Sequence, residues 1–244
     1  MSKKGYVKAS DVIQKSGLSC EDRLQRIVEL GEDIRTIYDC GAFNGRWAQE
    51  INSAIPNLRM ALIEPNPLLH EEIGQRTESF KERVQLIPVA VGDTEKTAEL
   101  NIWKNTRHTN PTTALAGSSL LSHVQGKPSE SYSVPVKTID QISSEIGWTP
   151  DLIKLDLQGY EKEALLGAQS VLNNTKVVIS EFGCLQAYEN RTKPKELFDI
   201  LDPYGFLLYD IVDLRYRPYD NAWAGGDFIF VKHDSVLLAH KDYF

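Results

Sequence analysis

An acidic residue followed by two spaced glycines is the pattern in this chain that points most directly to chemistry. An apolar run that starts at Thr36 ends in Asp39, and Gly41 and Gly45 follow with three residues between them. A strand that ends in such a turn brings bare backbone close to a ligand, because glycine has no side chain and tolerates left-handed torsion angles. About twenty residues later a second apolar run ends in Glu64, where doubly wound sheets place an acid that binds ribose hydroxyls. The spacing predicts a nucleoside-binding site.

The nucleoside that this turn predicts carries no phosphate. A dinucleotide site requires Gly-x-Gly-x-x-Gly and a P-loop requires Gly-Lys-Ser/Thr, and the turn matches neither pattern. The turn also lacks a basic residue, and Asp39 would repel a phosphate but attract a cation. S-adenosylmethionine combines an adenosine, no phosphate and a positive sulfonium. The alternative is that Gly41 and Gly45 only shape a tight turn between a strand and a helix.

Two further acids end later strand-like segments and are candidates for the reacting end of the site. The carboxyl ends of parallel strands form the ligand crevice of an open α/β sheet, so Asp156 and Glu181 should face that crevice together with Asp39 and Glu64. Either Asp156 or Glu181 could remove a proton from an acceptor. A divalent cation held by these two is the less favoured alternative, and no metal ligand is assigned.

Other candidates have a structural interpretation of equal or greater weight. His108 and His123 lie in a polar stretch from Lys104 to Glu130, where either could reach a substrate or simply be a solvated loop residue. Glu161 lies in the first turn of a predicted helix, where an acid stabilises the helix N-terminus by about 0.3–1 kcal/mol. The predicted catalytic residues are therefore Asp156, Glu181 and His123.

The elements that must position these residues alternate between strands and helices. The predicted strands are Thr36–Cys40, Arg59–Glu64, Val84–Val91, Asp151–Leu157, Lys176–Phe182, Phe206–Val212 and Asp227–Val231. The predicted helices are Cys20–Leu30, Gly45–Ser53, Leu68–Thr77, Ile139–Ile146, Glu161–Leu172 and Pro194–Leu201. Thr97–Trp103 and Tyr132–Lys137 alternate like an inserted antiparallel pair. The last strand should be reversed, because too few residues separate it from the preceding strand for a crossover.

These elements predict an α/β fold with a Rossmann-like, doubly wound sheet. The sheet is mostly parallel with an antiparallel last strand, which is the arrangement of S-adenosylmethionine-dependent methyltransferases, and an inserted β-hairpin and an N-terminal helix are added to it. The expected organisation is an N-terminal helical extension over residues 1–34 and a single methyltransferase domain over 35–244. The insert should span about residues 94–138.

Six segments, in order, resemble the motifs of the FkbM family of methyltransferases. The most specific is Lys154-Leu-Asp-Leu-Gln-Gly-Tyr-Glu161, which resembles the family's Lys-(apolar)-Asp-(apolar)-Glu-Gly-x-Glu. The others are Asp39-Cys-Gly-Ala-Phe-Asn-Gly45, Ile63-Glu-Pro-Asn-Pro67, Pro88-Val-Ala-Val-Gly-Asp93, Gly117-Ser-Ser-Leu120 and Val136-Lys-Thr-Ile-Asp140. Two residues depart from the family's pattern. Gln158 stands where the family commonly has Glu, and Phe43 shifts the position of Asn44 in the turn.

The resemblance implies S-adenosylmethionine as cofactor and methylation of an oxygen, often on a sugar or a glycosylated natural product. It also implies which residues contact the cofactor, with Ala90 and Asp93 near the adenine and Asp156 beside the reacting methyl group. The full set of predicted cofactor contacts is Asp39, Gly41, Asn44, Gly45, Glu64, Pro65, Ala90, Asp93 and Asp156. The non-enzyme alternative is a degenerate methyltransferase fold that acts as a binding protein. The other alternative is a dinucleotide-dependent oxidoreductase or epimerase.

Length and composition limit the remaining choices. A chain of 244 residues can bury a sizeable core, and its 41% hydrophobic and 25% charged residues are ordinary for a globular protein. The net charge of −7 argues against nucleic acid as a partner, since that calls for a basic surface. Neither a membrane span nor a signal segment is expected, and three scattered cysteines favour a cytoplasmic location. The expected partner is a small-molecule acceptor, and a homo-oligomer stays open.

Overall fold

The computed structural model of the protein describes residues 19–103, 112, 115–124, 126 and 130–240. The strands, in chain order, are β1 (Thr36–Cys40), β2 (Arg59–Ile63), β3 (Val84–Ile87), β4 (Ala90–Val91), β5 (Lys96–Ile102), β6 (Glu130–Lys137), β7 (Leu152–Leu155), β8 (Val177–Gly183), β9 (Phe206–Tyr216) and β10 (Trp223–Lys232). The helices are α1 (Cys20–Glu29), α2 (Arg46–Ala54), α3 (His70–Thr77), α4 (Ile139–Ile146), α5 (Glu161–Leu166), α6 (Gln169–Leu172) and α7 (Pro194–Leu201). Across these described ranges, no helix combines the length and apolarity that a membrane crossing requires.

Seven of the strands form one sheet in the order β3-β2-β1-β7-β8-β10-β9. β1 lies in the middle and pairs in parallel with β2 on one side and with β7 on the other. β10 runs antiparallel to both of its neighbours, β8 and β9. The sequence prediction of a doubly wound, mostly parallel sheet with a reversed last strand is therefore confirmed.

Alternate residues of the central strands point to opposite faces, so two layers of helices cover the sheet. Tyr38 and Cys40 of β1 pack in the cluster that also contains residues of α4, α5, α6 and α7. Ile37 of the same strand packs in the cluster that contains residues of α1, α2 and α3. The predicted N-terminal helix is present as α1, which begins where the Ser19 side chain accepts a hydrogen bond from the Asp22 backbone. It buries Leu24 and Ile27 on the second face.

The predicted third strand, Val84–Val91, is two strands in the structure. β3 pairs with β2 in the large sheet, whereas β4 pairs with β6 in a three-stranded sheet of order β4-β6-β5. Pro88 separates the two, because proline has no N–H to donate to a strand partner. β5 and β6 are antiparallel, as expected for the inserted hairpin. The insert is thus joined to the main fold through β4.

The predicted helix Glu161–Leu172 is also divided in two. A Cβ at Gly167 would lie 2.1 Å from the backbone oxygen of Gly92, so the chain passes too close to that backbone for a side chain. The Asp140 carboxylate then accepts the backbone N–H groups of Ser170 and Val171 and begins α6 as a separate helix. A side chain distant in sequence supplies this cap, which local periodicity does not reveal.

Candidate active site

The turn after β1 brings the backbone of two strands into contact. Gly41 has a φ of +83°, and a Cβ there would lie 2.1 Å from the backbone oxygen of Asp156. Only glycine fits this position, on torsion angle and on space. Gly45 is left-handed as well and begins α2, with the backbone of Ile73 3.3 Å from where its Cβ would be. The spaced glycines therefore set how closely β1 approaches β7 and α3.

Glu64, directly after β2, is held by backbone donors from two segments. Its Oε2 accepts the N–H of Phe43 and its Oε1 accepts the N–H of Asn66, both at 2.8 Å. The residue is 6% exposed, and burial raises the pKa of its carboxyl to about 7 although the two backbone bonds oppose that shift. Each carboxylate oxygen keeps a lone pair for another donor. The arrangement can accept two hydroxyl groups of a ligand.

A cavity opens beside Glu64, between the carboxyl ends of the central strands and the insert. The residues that line it are Gly41, Phe43, Ile63, Glu64, Pro65, Leu69, Val89, Ala90, Val91, Leu100, Leu115, Ala116, Ser118, Ser119, Leu120, Asp156, Leu157, Gln158 and Tyr160. None of these described side chains is cationic. The walls are mostly apolar, and the acids lie at Glu64 and Asp156, so the cavity suits a flat, uncharged ring system with hydroxyl groups attached.

Two of the lining residues have backbone angles that are unusual for their types. Phe43 has a φ of +52° and Gln158 a φ of +53°, in the left-handed region that non-glycine residues rarely adopt. Such strain is often kept where it places a functional group. Here it turns the Phe43 N–H toward Glu64 and the Gln158 amide toward two acids.

A segment of the insert, residues 115–124, closes one side of the cavity. Ser119 is buried and exchanges two backbone hydrogen bonds with Asn101, and its hydroxyl donates to the backbone oxygen of Gln158 at 3.2 Å. The Tyr188 hydroxyl donates to the backbone oxygen of Gly117 at 2.8 Å. The segment is therefore fixed to β5 and to the residues that follow β7 and β8.

A buried lysine lies among the acids at the strand ends. The Nζ of Lys154 is 3.6 Å from Asp39 Oδ1 and 3.6 Å from Asp156 Oδ2. Asp39 is fully buried, and its carboxylate accepts no hydrogen bond from the part of the chain that the structure describes. The Trp47 ring centroid lies 5.3 Å from the ammonium group. Burial alone would lower the pKa of Lys154, but the carboxylates of Asp39 and Asp156 outweigh burial and raise it. The ammonium group stays charged and stabilises both acids.

Gln158 connects the two predicted catalytic acids. Its Nε2 donates to Asp156 Oδ1 at 2.8 Å and to Glu181 Oε2 at 3.1 Å. The other oxygen of Glu181 accepts from Arg215 Nη2 at 2.6 Å. Burial first, and then the charge of Asp156, raises the pKa of Glu181 well above its ordinary value, against the opposing effect of Arg215. The structure thus brings Asp156 and Glu181 together, with Asp156 the more exposed of the two.

The remaining predicted residues lie in several places. Ala90 and Pro65 line the cavity. Asn44 donates to Glu72 at 2.9 Å, and Asp93 pairs with Lys96 at 3.1 Å, so neither side chain is among those lining the cavity.

His123 packs between the rings of Trp103 and Tyr188, with ring centroids 5.1 Å and 5.3 Å away. His108 lies outside the described residues. Glu161 accepts the backbone N–H groups of Leu157 and Gly159, so its carboxylate holds the loop before α5. Its predicted effect on the helix N-terminus stays a prediction.

The sequence analysis assigned no role to three residues of the site, Lys154, Arg215 and Tyr188. Lys154 had a signal, because a lysine inside an otherwise apolar strand is costly to bury unless a carboxylate faces it. β1 and β7 pair so that Asp39 and Lys154 are direct neighbours. Arg215 had no comparable signal, since it lies in the extension of β9 beyond the predicted strand end.

Comparison with protein-family models gives a match to the methyltransferase FkbM domain over residues 39–208. The chain belongs to the FkbM methyltransferase family. The match covers the glycine turn, Glu64, the insert and all three predicted catalytic residues of this methyltransferase. Its extent agrees with the resemblance that the six motifs indicated.

Solved structures similar to this methyltransferase include other methyltransferases at low identity. N-methyltransferase NodS from Bradyrhizobium japonicum WM9 is 10% identical, with a TM-score of 0.48 over 86% of this chain and 94% of that one. Precorrin-6y C5,15-methyltransferase from Geobacter metallireducens GS-15 is 12% identical, with a TM-score of 0.46 over 89% and 94% of the two chains. Aeropyrum pernix fibrillarin, with natively bound S-adenosyl-L-methionine, is 11% identical, with a TM-score of 0.46 over 83% and 68%. No curated protein gives a significant sequence match.

Proposed function

We propose that this methyltransferase transfers a methyl group from S-adenosylmethionine to a hydroxyl group of a small acceptor, with a saccharide as the favoured class. The observation that carries the proposal is the cavity beside Glu64, which combines apolar walls with a backbone-held carboxylate. An adenosine needs an apolar slot for its base and acceptors for its ribose hydroxyls. A polyanionic acceptor is disfavoured by the net charge of −7.

The residues present fit the proposed cofactor. Glu64 keeps free lone pairs at the cavity wall, and the described lining offers no cation for a pyrophosphate. Asp39, by contrast, is fully buried against Lys154 and is not part of the lining. We therefore assign the ribose contact to Glu64. Gly41 is assigned only the shape of the turn. In this proposal Asp39 does not contact the cofactor. It acts through Lys154, which it shares with Asp156.

In this proposal Asp156 is the base that removes the proton of the acceptor hydroxyl. When bound, the cofactor supplies the methyl group from its sulfonium, and the acceptor hydroxyl must lose a proton as the new bond forms. The side chain of Asp156 is 41% exposed and lies on the cavity wall, whereas that of Glu181 is 13% exposed and paired with Arg215. Both oxygens of Glu181 already accept hydrogen bonds, one from Gln158 and one from Arg215, so neither is free to take a proton from an acceptor. Glu181 and Gln158 would instead orient Asp156.

Calorimetric titration with S-adenosylhomocysteine and with NAD⁺ tests the cofactor, and isotopically labelled S-adenosylmethionine then tests transfer to a panel of saccharides and other alcohols. We expect S-adenosylhomocysteine to bind, NAD⁺ not to bind, and label to enter a hydroxylated acceptor. Asp156→Asn should abolish the transfer. It should keep the affinity for S-adenosylhomocysteine within about threefold, because the ribose contact is assigned to Glu64 and not to Asp156. NAD⁺ binding would instead indicate a dinucleotide enzyme. Cofactor binding without transfer to any acceptor would indicate a binding protein with a methyltransferase fold.

A further inference from the structure

The Gln158 side chain joins two carboxylates at the edge of the sheet. We propose that the Gln158 carboxamide is the positioning group that joins Asp156 to Glu181 in place of a metal ion, and that Gln158→Glu alone would convert this site into a divalent-cation site. The inference rests on the proposed function for the role of Asp156, but its own test needs no methyl transfer.

The bridge is made by one nitrogen atom. Gln158 Nε2 is 2.8 Å from Asp156 Oδ1 and 3.1 Å from Glu181 Oε2, and an amide NH₂ group has two hydrogens, one for each acid. The reverse orientation would place the amide oxygen against the Asp156 carboxylate, which only accepts hydrogen bonds when ionised. The amide oxygen instead faces the Tyr188 hydroxyl at 3.4 Å.

Each acid uses its second oxygen on a side-chain cation. Asp156 Oδ2 lies 3.6 Å from the Lys154 ammonium group, and Glu181 Oε1 lies 2.6 Å from the Arg215 guanidinium group. The result is a continuous chain of alternating donors and acceptors, in the order Lys154, Asp156, Gln158, Glu181, Arg215. Lys154 also faces Asp39 at 3.6 Å, so the charges of this group do not cancel when Asp39 is counted with it. What joins Asp156 to Glu181 is the Gln158 NH₂ group, which fills the position between the two acids that a bridging metal ion would need.

A glutamate at position 158 would remove the NH₂ group that joins the two acids and would add a negative charge beside them. Glu and Gln have nearly the same shape, so the side chain would reach the same place with an oxygen instead of the NH₂ group. Three carboxylate oxygens would then meet, and like charges at this distance repel unless a proton or a cation lies between them. Carboxylate oxygens are the ligands that Mn²⁺ and Mg²⁺ prefer. We therefore expect the substitution to create a cation site, and a neutral side chain without donors to create none.

Titration of Mn²⁺ into the full-length wild-type protein, Gln158→Glu and Gln158→Met tests this inference, with the free ion followed by electron paramagnetic resonance. Gln158→Glu should gain one site at least tenfold tighter than any in the wild type, and Gln158→Met should gain none. The melting temperature of Gln158→Glu alone should rise when Mn²⁺ is added. The gained site should disappear when Asp156→Asn is combined with Gln158→Glu.

A second group of metal-capable side chains needs a control. Cys20, Asp213 and Asp227 hold ligand atoms within 4.8 Å of one another, so the wild-type protein could bind Mn²⁺ there. Binding at that group should be removed by Asp213→Asn, whereas binding at the proposed site requires Asp156 and not Asp213. Wild-type Mn²⁺ binding that Asp156→Asn removes would overturn the proposal, even if Gln158→Glu did not fold. A folded Gln158→Glu variant that gains no site would overturn it as well.

S-adenosylhomocysteine binding, measured on the same samples, separates this inference from the proposed function. A wild-type protein that binds no S-adenosylhomocysteine refutes the proposed function and leaves the Mn²⁺ result to stand by itself. Where transfer to an acceptor is detected, Gln158→Met should lower kcat with little change in the KM for S-adenosylmethionine. Mn²⁺ should raise the rate of Gln158→Glu and leave that of Gln158→Met unchanged.

Discussion

Glu64 and Asp156 lie at the same edge of the large sheet, but the protein stabilises their carboxylates by different means. Glu64 takes two backbone N–H groups, from the turn after β1 and from the residues after β2. Asp156 instead interacts with side chains. It accepts a hydrogen bond from Gln158 and forms an ion pair with Lys154. Backbone donors are fixed by the fold itself, whereas side-chain donors can be exchanged by a single substitution.

Under the proposed function, this difference assigns cofactor binding to Glu64 and proton transfer to Asp156. The backbone-held Glu64 is rigid and keeps lone pairs free, which suits recognition of a constant group such as a ribose. The side chains around Asp156 set the charge and orientation of its carboxylate, which suits the proposed proton transfer. The substitutions below test this division, because each removes a donor or an acid from one of the two regions.

Lys154→Met should have the largest effect on stability. The substitution leaves Asp39 fully buried without a cation, and loss of one partner of a buried pair costs roughly 3–5 kcal/mol. Urea unfolding of Lys154→Met, Asp39→Asn and the double variant measures the loss. The double variant should recover part of the stability, and a single variant within about 1 kcal/mol of wild type would show that the pair is not coupled.

The free energy of unfolding should fall as the pH rises from 5 to 7.5. Burial raises the pKa of Glu64 and of Glu161 from 4.5 to about 7, so the folded protein holds protons that the unfolded chain has already lost in this interval. Each of the two carboxyl groups should contribute on the order of 2–3 kcal/mol over this interval, at about 1.4 kcal/mol per pKa unit. Urea titrations at a series of pH values measure it.

Two further observations locate that pH dependence. Glu64→Gln should reduce the fall in stability, because it removes one of the buried carboxyl groups whose pKa is raised. Affinity for S-adenosylhomocysteine should rise over the same interval, since the ionised Glu64 is the better acceptor for hydroxyl groups. A stability that instead rises from pH 5 to 7.5 would contradict the protonated state of both buried acids.

Glu64→Gln should weaken S-adenosylhomocysteine binding by about 2 kcal/mol, or about thirtyfold. The glutamine carries no charge and has only one acceptor oxygen. Its NH₂ group would therefore face one of the two backbone N–H groups, of Phe43 or Asn66, that Glu64 accepts. Calorimetry at a temperature where the variant is folded measures the affinity. Glu50→Gln, which removes an exposed acid paired with Arg46, is the matched control and should bind like wild type.

Asp93→Asn should have the smallest effect. The resemblance to the family placed Asp93 near the adenine, but its carboxylate pairs with Lys96 at the surface and is not among the cavity-lining side chains. Exposed pairs contribute about 0.2–1 kcal/mol, so stability should change little and S-adenosylhomocysteine affinity less than twofold. A tenfold loss of affinity would instead show that Asp93 contacts the cofactor, as the family motif implied.

Local patterns in the sequence predicted much of this structure. Alternating apolar segments gave the order of strands and helices, because each period reports the face that a residue buries. The glycine turn and Glu64 were predicted together because β1 and β2 are neighbours in sequence as well as in the sheet. Asp156 and Glu181 were paired for the same reason, since β7 and β8 are consecutive strands of the main sheet.

Contacts between distant segments were decided by the tertiary structure alone. Lys154 neutralises Asp39 only because β7 inserts beside β1, more than a hundred residues away in sequence. Arg215 reaches Glu181 from the extension of β9, and the insert closes the cavity through Ser119. The sequence determined which residues stand at the edge of the sheet, since strand ends follow from local periodicity. The partners that set their charge and orientation depend on packing across the fold, which no local pattern encodes.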